Sequence, residues 1–338
     1  MNQLLLSLFE SFPLIALIGI IALFLLLLGK GADLLIDQAV ILSGYLKIPK
    51  AIMGATIISL GTTLPELSVS TMAAIAGNPG LALGNAVGSI ITNAALIIGL
   101  AALITPIHIN PNNIKVQSWV ELGAAGLLIV FSMPFLARNS IGKVSQLAGF
   151  LFIVILIIYL YWSYKESKRY ALMEEENSDE EVSKVQVIKK LLLIFTGMGI
   201  VILSSKVLIP AVEISAVRVG IPQAVIAATL VAFGTSLPEL TTSIKAVLKG
   251  YGELAVGNII GANILNVLFV TGVSAAVTPS GLIVPDMFYR IHFPTMALIL
   301  ILFKIFTSNK ATIINRKQGI VLFVIYLAYL VANLSIAG

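Results

Sequence analysis

Apolar residues in this chain run in long blocks, and the polar ones gather in short stretches between them. Ten blocks can be drawn, at roughly 13–45, 49–76, 81–104, 117–137, 143–164, 187–217, 222–249, 253–277, 287–306 and 317–336. A bilayer core about 30 Å thick needs roughly 20 apolar residues per helical crossing, so each block is long enough to span. The blocks lack the strict in–out alternation of membrane β-strands and exceed their length, which leaves helices. The first and sixth exceed the bilayer thickness and predict tilted helices. Pro106, Pro111, Pro279 and Pro285 punctuate the ends of the third and eighth, where helix stops belong. The expected class is an all-α polytopic membrane protein with ten transmembrane helices.

Composition agrees. Of 338 residues 58% are hydrophobic and 11% charged, with a mean hydropathy of +1.03. Soluble domains carry about 25% charged residues, so this chain cannot cover a surface in water. The net charge of +5 sits mostly in short loops and does not point to nucleic acid. With no cysteine, disulfides and thiolate metal sites are excluded. His108 and His292 lack metal-ligand spacing. The first apolar block has acidic Glu10 before it and no basic leader, so it reads as a retained helix.

Residues 165–190 break the apolar pattern with Lys165, Lys168, Arg169, the run Glu174-Glu175-Glu176 and Asp179-Glu180-Glu181. They divide the chain into a first transmembrane repeat (1–164), an acidic linker (165–186) too short to fold as a domain, and a second repeat (187–338). The halves match at one offset. Glu239 follows Glu66 by 173 residues, and the same shift maps Pro49 to Pro222, Gly84 to Gly257, Asn85 to Asn258, Asn93 to Asn266 and Pro106 to Pro279. Such a repeat sets the architecture. Five spans per half, an odd number, turn the second half over, giving two inverted-topology five-helix repeats, the plan of many secondary transporters. Loops after odd-numbered spans hold most of the Lys and Arg, among them Lys47, Lys115, Lys168, Lys249 and Arg316. The positive-inside rule makes those loops and the linker cytoplasmic and puts both termini outside.

The most telling stretch also occurs twice, as Gly61-Thr62-Thr63-Leu64-Pro65-Glu66-Leu67 and Gly234-Thr235-Ser236-Leu237-Pro238-Glu239-Leu240. These motifs anchor repeat cores at 54–99 and 227–272. An ionisable residue at membrane depth is costly and marks function by default. Pro65 lacks an N–H and its ring clashes with the carbonyl of Gly61, so the helix should break there. Unwound backbone is tolerated at that depth only when buried in protein or lining a cavity. A bound cation is one partner for it. Thr62, Thr63, Thr235 and Ser236 add hydroxyls, and Glu66 and Glu239 add charge. The pair Gly84-Asn85-Ala86-Val87-Gly88 and Gly257-Asn258-Ile259-Ile260-Gly261 supplies small residues for close helix approach. Asn85 and Asn258 bring neutral amides into that packed interior. Asn93 and Asn266 follow eight residues on, about two turns along the same face, as ion ligands or as interhelical glue. Hard oxygen donors suit Ca²⁺, Na⁺ or Mg²⁺ rather than Zn²⁺ or Cu²⁺. Mg²⁺ sheds water reluctantly, whereas Ca²⁺ accepts six to eight oxygens in flexible geometry.

The doubled G-T-[ST]-L-P-E-L and G-N-x-x-G motifs resemble the α-repeats of sodium/calcium exchangers of the prokaryotic type, in the calcium/cation antiporter superfamily. The likeness is specific over about 60 residues of each half and weak in spans four, five, nine and ten. It implies alternating-access antiport of Ca²⁺ against Na⁺ in a cell (inner) membrane, with no cofactor, no nucleic acid and a monomer in the bilayer. Carried over, Glu66 and Glu239 are shared ligands. Thr62 and Thr235 lend carbonyls to both ions, Thr63 and Ser236 serve Na⁺, Asn85 and Asn258 complete the centre, and the carbonyls of Ser59 and Ala232 serve outlying Na⁺ sites. The chain departs from the pattern at Ser89-Ile90 and Ala262-Asn263, where Ser-Asn is usual, and at Asn258, where some members place Asp. The proton-coupled branch carries G-N-A-x-E, which is absent here.

Lys30, Asp33 and Asp37 on the first span, and Lys206 and Glu213 on the sixth, read either as a gate on a sliding helix or as interfacial snorkelling and i,i+3 pairing. Two rivals stay open: a Ca²⁺/H⁺ or K⁺-coupled exchanger on the same fold, and a cation channel. No nucleotide loop, catalytic triad or metal-hydrolase pattern supports an enzyme.

Overall fold

The computed structural model describes residues 2–134, 142–174, 183–220, 234–308 and 312–337. Those residues are almost entirely helical. The elements are α1 (Asn2–Glu10), α2 (Leu14–Tyr45), α3 (Lys50–Thr62), α4 (Leu64–Ile75), α5 (Pro79–Ile104), α6 (Pro111–Ser132), α7 (Gln146–Glu174), α8 (Lys184–Arg218), α9 (Leu237–Leu248), α10 (Gly252–Ala276), α11 (Phe288–Phe306) and α12 (Arg316–Ala337). Seven of them, α2, α5, α6, α7 (through Tyr170), α8, α10 and α11, are long and apolar enough to cross a membrane, and α3 with α4 makes an eighth as a bent pair. This is an all-helical membrane protein.

The helices sort by what surrounds them. The most apolar windows of α5 and α10 are 78% and 89% buried, whereas that of α2 is only 17% buried. The first two therefore form the centre, and α2 shows most of its apolar surface outward, as a helix in lipid does. At 32 and 35 residues, α2 and α8 run about 48 and 52 Å, well beyond the bilayer core. They pack along each other and cross closely at Gly31 and Gly197, where a Cβ on Gly197 would lie 2.9 Å from the Gly31 carbonyl. A larger residue at either position would push this pair apart.

Within the core, the G-N-x-x-G glycines of the second half work as small-residue contacts. A Cβ on Gly257 would run into the carbonyl of Ala51, and one on Gly261 would sit 2.5 Å from the Ala55 carbonyl, both on α3. Two short antiparallel pairs also join the halves: β1 (Ile107–His108) with β4 (Ile313–Ile314), and β2 (Lys143–Val144) with β3 (Leu282–Ile283). Ion pairs tie α2 to α9 and the residue after it, with Lys245 on Asp33 at 3.1 Å and Lys249 on Asp33 and Asp37 at 3.2 and 2.6 Å.

Two boundaries differ from the sequence reading. The helix of the fifth apolar block continues to Glu174, so the first ten residues of the expected linker are helical. The capping box of Ser183 and Gln186 starts α8 at Lys184. Polar residues at a helix end cost little outside the bilayer, so apolar length understates the helix. The rest of the linker, 175–182, and the start of the seventh block, 221–233 with Ala232, lie outside the described residues.

Candidate functional site

The predicted break is present. Thr63 separates α3 from α4, and the two axes meet at 46°. Pro65 falls in the first turn of α4, where its missing N–H is harmless, and Glu66 follows in that turn. The second copy repeats this: Pro238 and Glu239 open α9 after Ser236. Both carboxylates thus sit at helix N-termini, where the backbone dipole favours negative charge. Both are fully buried at 0% exposure. Met198 of α8 lies over Gly61, and Ile209 of the same helix lies 2.8 Å from where a Gly234 Cβ would be, so one long helix covers both breaks.

Side chains from the two halves interlock across the centre. The Thr235 hydroxyl donates to Asn85 Oδ1 at 3.0 Å, and the Thr62 hydroxyl donates to Asn258 Oδ1 at 3.4 Å, the same contact shifted by the repeat offset. At their other ends, Asn85 donates to Ser70 Oγ (2.9 Å) and the Glu66 carbonyl (3.3 Å). Asn258 donates to Thr242 and Ser243 hydroxyls, each at 3.3 Å. Ser236 donates to Glu66 Oε1 at 3.5 Å and to Ser89 Oγ at 3.3 Å, while Glu239 faces Thr62 and Thr63. Glu66 and Glu239 are near enough to repel each other. All eight predicted residues, Thr62, Thr63, Glu66, Asn85, Thr235, Ser236, Glu239 and Asn258, meet in this one region.

Six buried oxygens there have no hydrogen-bond partner: Glu66 Oε2, both Oε atoms of Glu239, Thr63 Oγ1, Asn93 Oδ1 and Asn266 Oδ1. Native proteins leave few such groups, and each calls for an explanation. Asn93 lies one turn beyond Ser89, and Asn266 one turn beyond Ala262, the matching position. Both asparagines fall in π-helical turns, Thr92–Ile97 and Asn266–Thr271, a distortion that clusters at functional sites. The amides divide into two kinds. Asn85 and Asn258 are hydrogen-bonded at both ends and clamp the walls, whereas Asn93 and Asn266 present a bare oxygen. Among the described residues no group of three or more His, Cys, Asp or Glu could hold a metal ion.

A family model described as sodium/calcium exchanger protein matches residues 16–165 and 189–335. The chain belongs to this exchanger family. Members are transporters. The exchanger is 29% identical over 345 residues to the sodium/calcium exchanger MaX1 of Methanosarcina acetivorans, covering 92% of this chain and 97% of that one. It is 31% identical over 317 residues to the inner membrane protein YrbG of Escherichia coli, covering 90% and 94%. Among solved structures, the sodium-calcium exchanger NCX_Mj soaked without Na⁺ and Ca²⁺ superposes with a TM-score of 0.79 at 28% identity, covering 95% and 99%.

One residue of this exchanger's interior escaped the sequence reading, and its partner Asn263 was named there without a role. Glu121, in the middle of α6, is 2% exposed and accepts from Asn263 Nδ2 at 2.6 Å, and Asn263 Oδ1 accepts from Asn93 at 3.2 Å. The available cue was an acid in the middle of an apolar block, the same cue that exposes Glu66.

Proposed function

We propose that this exchanger carries Ca²⁺ out of the cytoplasm against inward Na⁺ by alternating access, through one mid-membrane site built from both halves. The observation carrying this reading is the set of six unpartnered buried oxygens, three of them on the two buried carboxylates and three on Thr63, Asn93 and Asn266. Removing a carboxylate from water without a partner costs several kcal/mol, and two like charges side by side make it worse. A dehydrated cation answers both penalties. Glu66 and Glu239 neutralise one Ca²⁺, and with Thr63, Asn93 and Asn266 they offer the irregular oxygen shell that Ca²⁺ accepts. The same oxygens can share two or three Na⁺ in its place, so each ion excludes the other. That mutual exclusion is what an antiporter needs.

In this reading Asn93 and Asn266 take the amide-ligand role that the family resemblance gives to Asn85 and Asn258. The latter hold α5 against α4 and α10 against α9. Thr62, Thr235 and Ser236 complete the lining. The chain crosses the membrane ten times in two inverted five-helix repeats, counting α12 and the seventh block with the eight spans above. The paired Thr62–Asn258 and Thr235–Asn85 contacts and the two strand pairs that join the halves support that symmetry. Arg and Lys placement supports cytoplasmic odd-numbered loops, external termini and a prokaryotic inner membrane, with a monomer as the transporting unit. A channel would need an open polar pore, and the buried closely packed centre favours exchange.

The test is Ca²⁺ uptake into proteoliposomes driven by an imposed Na⁺ gradient, with a protonophore present. Uptake that follows the Na⁺ gradient supports the reading. Uptake indifferent to Na⁺ and abolished by the protonophore replaces it with Ca²⁺/H⁺ exchange.

A further inference from the structure

The two asparagines with bare oxygens are held in that pose differently. Asn266 lies in α10 and donates its amide NH₂ to the Ala262 carbonyl at 3.0 Å. A carbonyl only accepts, so the NH₂ end must face it and the Oδ1 end must face the other way. Asn93 has no such backbone partner for its NH₂ in the structure. It donates instead to Asn263 Oδ1 at 3.2 Å, and Asn263 donates in turn to Glu121 Oε1 at 2.6 Å. At that contact Glu121 Oε1 is the acceptor. Its presence fixes the polarity of the whole chain: NH₂ of Asn263 toward Glu121, oxygen of Asn263 toward Asn93, NH₂ of Asn93 toward Asn263. The Asn93 oxygen is left as the end turned away, and it is buried without a protein partner.

All three residues are nearly or fully buried, at 2%, 1% and 0% exposure for Glu121, Asn263 and Asn93, so water does not compete for these bonds. The relay exists in one half only. The repeat offset places Ile90 opposite Asn263, and an isoleucine cannot take part. The first-half asparagine thus depends on residues of α6 and α10 for an orientation that its mate obtains from its own helix.

We propose that Glu121 is a positioning residue for ion binding, acting through Asn263 to hold the Asn93 amide with its oxygen toward the cation. Without it the Asn93 amide is free to turn its NH₂ into the site, where its partial positive charge opposes a cation. This rests on the reading of Asn93 as a ligand given above.

The experiment measures equilibrium Ca²⁺ binding to purified protein and the KM and kcat of Na⁺-driven Ca²⁺ uptake, for Glu121→Met, Glu121→Gln, Asn263→Leu and the Met/Leu double variant. Loss of an outer hydrogen bond that orients a ligand weakens metal binding by about 10- to 100-fold. Glu121→Met and Asn263→Leu should each raise the dissociation constant and KM for Ca²⁺ by that factor with kcat at saturating Ca²⁺ largely kept. The double variant should be no worse than either single one. Glu121→Gln, whose carbonyl still accepts from Asn263, should recover most of the affinity. Unchanged affinity in Glu121→Met would overturn the proposal, as would Glu121→Gln as weak as Glu121→Met, which would mean that charge and not orientation matters. Glu239→Gln is measured beside them: if it still binds Ca²⁺, the site reading itself fails, and if it does not while Glu121→Met binds normally, only the relay fails.

Discussion

The half-site around Glu66 and the half-site around Glu239 are built from matching motifs, yet they are satisfied unequally. Glu66 receives the Ser236 hydroxyl at 3.5 Å, and Ser89 backs that hydroxyl at 3.3 Å. Glu239 interacts with the Thr62 and Thr63 hydroxyls only at longer range, and neither of its oxygens has a partner within hydrogen-bond distance. One sequence difference underlies this. The position of Ser89 is filled in the second half by Ala262, which has no hydroxyl to give. The first half therefore gives one oxygen of its carboxylate a protein donor within 3.5 Å, while the second gives neither oxygen one. On the proposed reading, a site with one half-satisfied and one bare carboxylate can bind a divalent ion without trapping it, because a protein donor stands ready when the ion leaves.

The largest effect should come from removing either charge. Glu239→Gln and Glu66→Gln should each abolish Na⁺-driven Ca²⁺ uptake in protein that still folds. If one of the two is milder it should be Glu66→Gln, and equal residual activity would dissolve the contrast. Next come the bare amides. Asn93→Leu and Asn266→Leu should raise the Ca²⁺ concentration for half-maximal uptake by 10-fold or more, while Asn85→Leu and Asn258→Leu should act chiefly on stability. Each clamp substitution strands buried donors and acceptors at about 1–3 kcal/mol apiece, which a melting curve in detergent would detect. Leucine at Asn85 or Asn258 that leaves the melting temperature alone but ruins ion affinity would return those residues to the ligand shell.

The smallest effects concern the hydroxyls that distinguish the halves. Ser89→Ala removes the hydroxyl paired with Ser236 and should make the Glu66 half resemble the other, changing Ca²⁺ affinity by a few-fold, in line with a single neutral hydrogen bond of about 1 kcal/mol. Ala262→Ser should give the reciprocal change of similar size. Equal and same-signed shifts from both substitutions would show that the hydroxyl at this position does not set the asymmetry.

Much of this was legible in the sequence, and the illegible parts have physical causes. The apolar blocks announced the helices because lipid demands unbroken apolar runs, and the Pro–Glu pairs announced the break and both carboxylates. Choosing between Asn85 and Asn93, or between Asn258 and Asn266, was beyond periodicity. The members of each pair are eight residues apart and share a face in a regular α-helix, but π-helical turns covering Thr92–Ile97 and Asn266–Thr271 change the helical phase where Asn93 and Asn266 sit. Glu121 has no counterpart at the repeat offset, so a search for doubled residues passed over it. Its partner Asn263 keeps the Asn of the family's usual Ser-Asn pair, and only the packing of α6 against α10 shows what it contacts.

The central claim is that two carboxylates from opposite halves share one dehydrated ion. Equilibrium Ca²⁺ binding to detergent-solubilised protein, titrated against Na⁺, tests it most directly when wild type is set beside Glu66→Gln and Glu239→Gln. The account predicts one saturable Ca²⁺ site, displaced competitively by Na⁺ and lost in both variants. Ca²⁺ binding that survives in either variant, or that Na⁺ fails to displace, would contradict it.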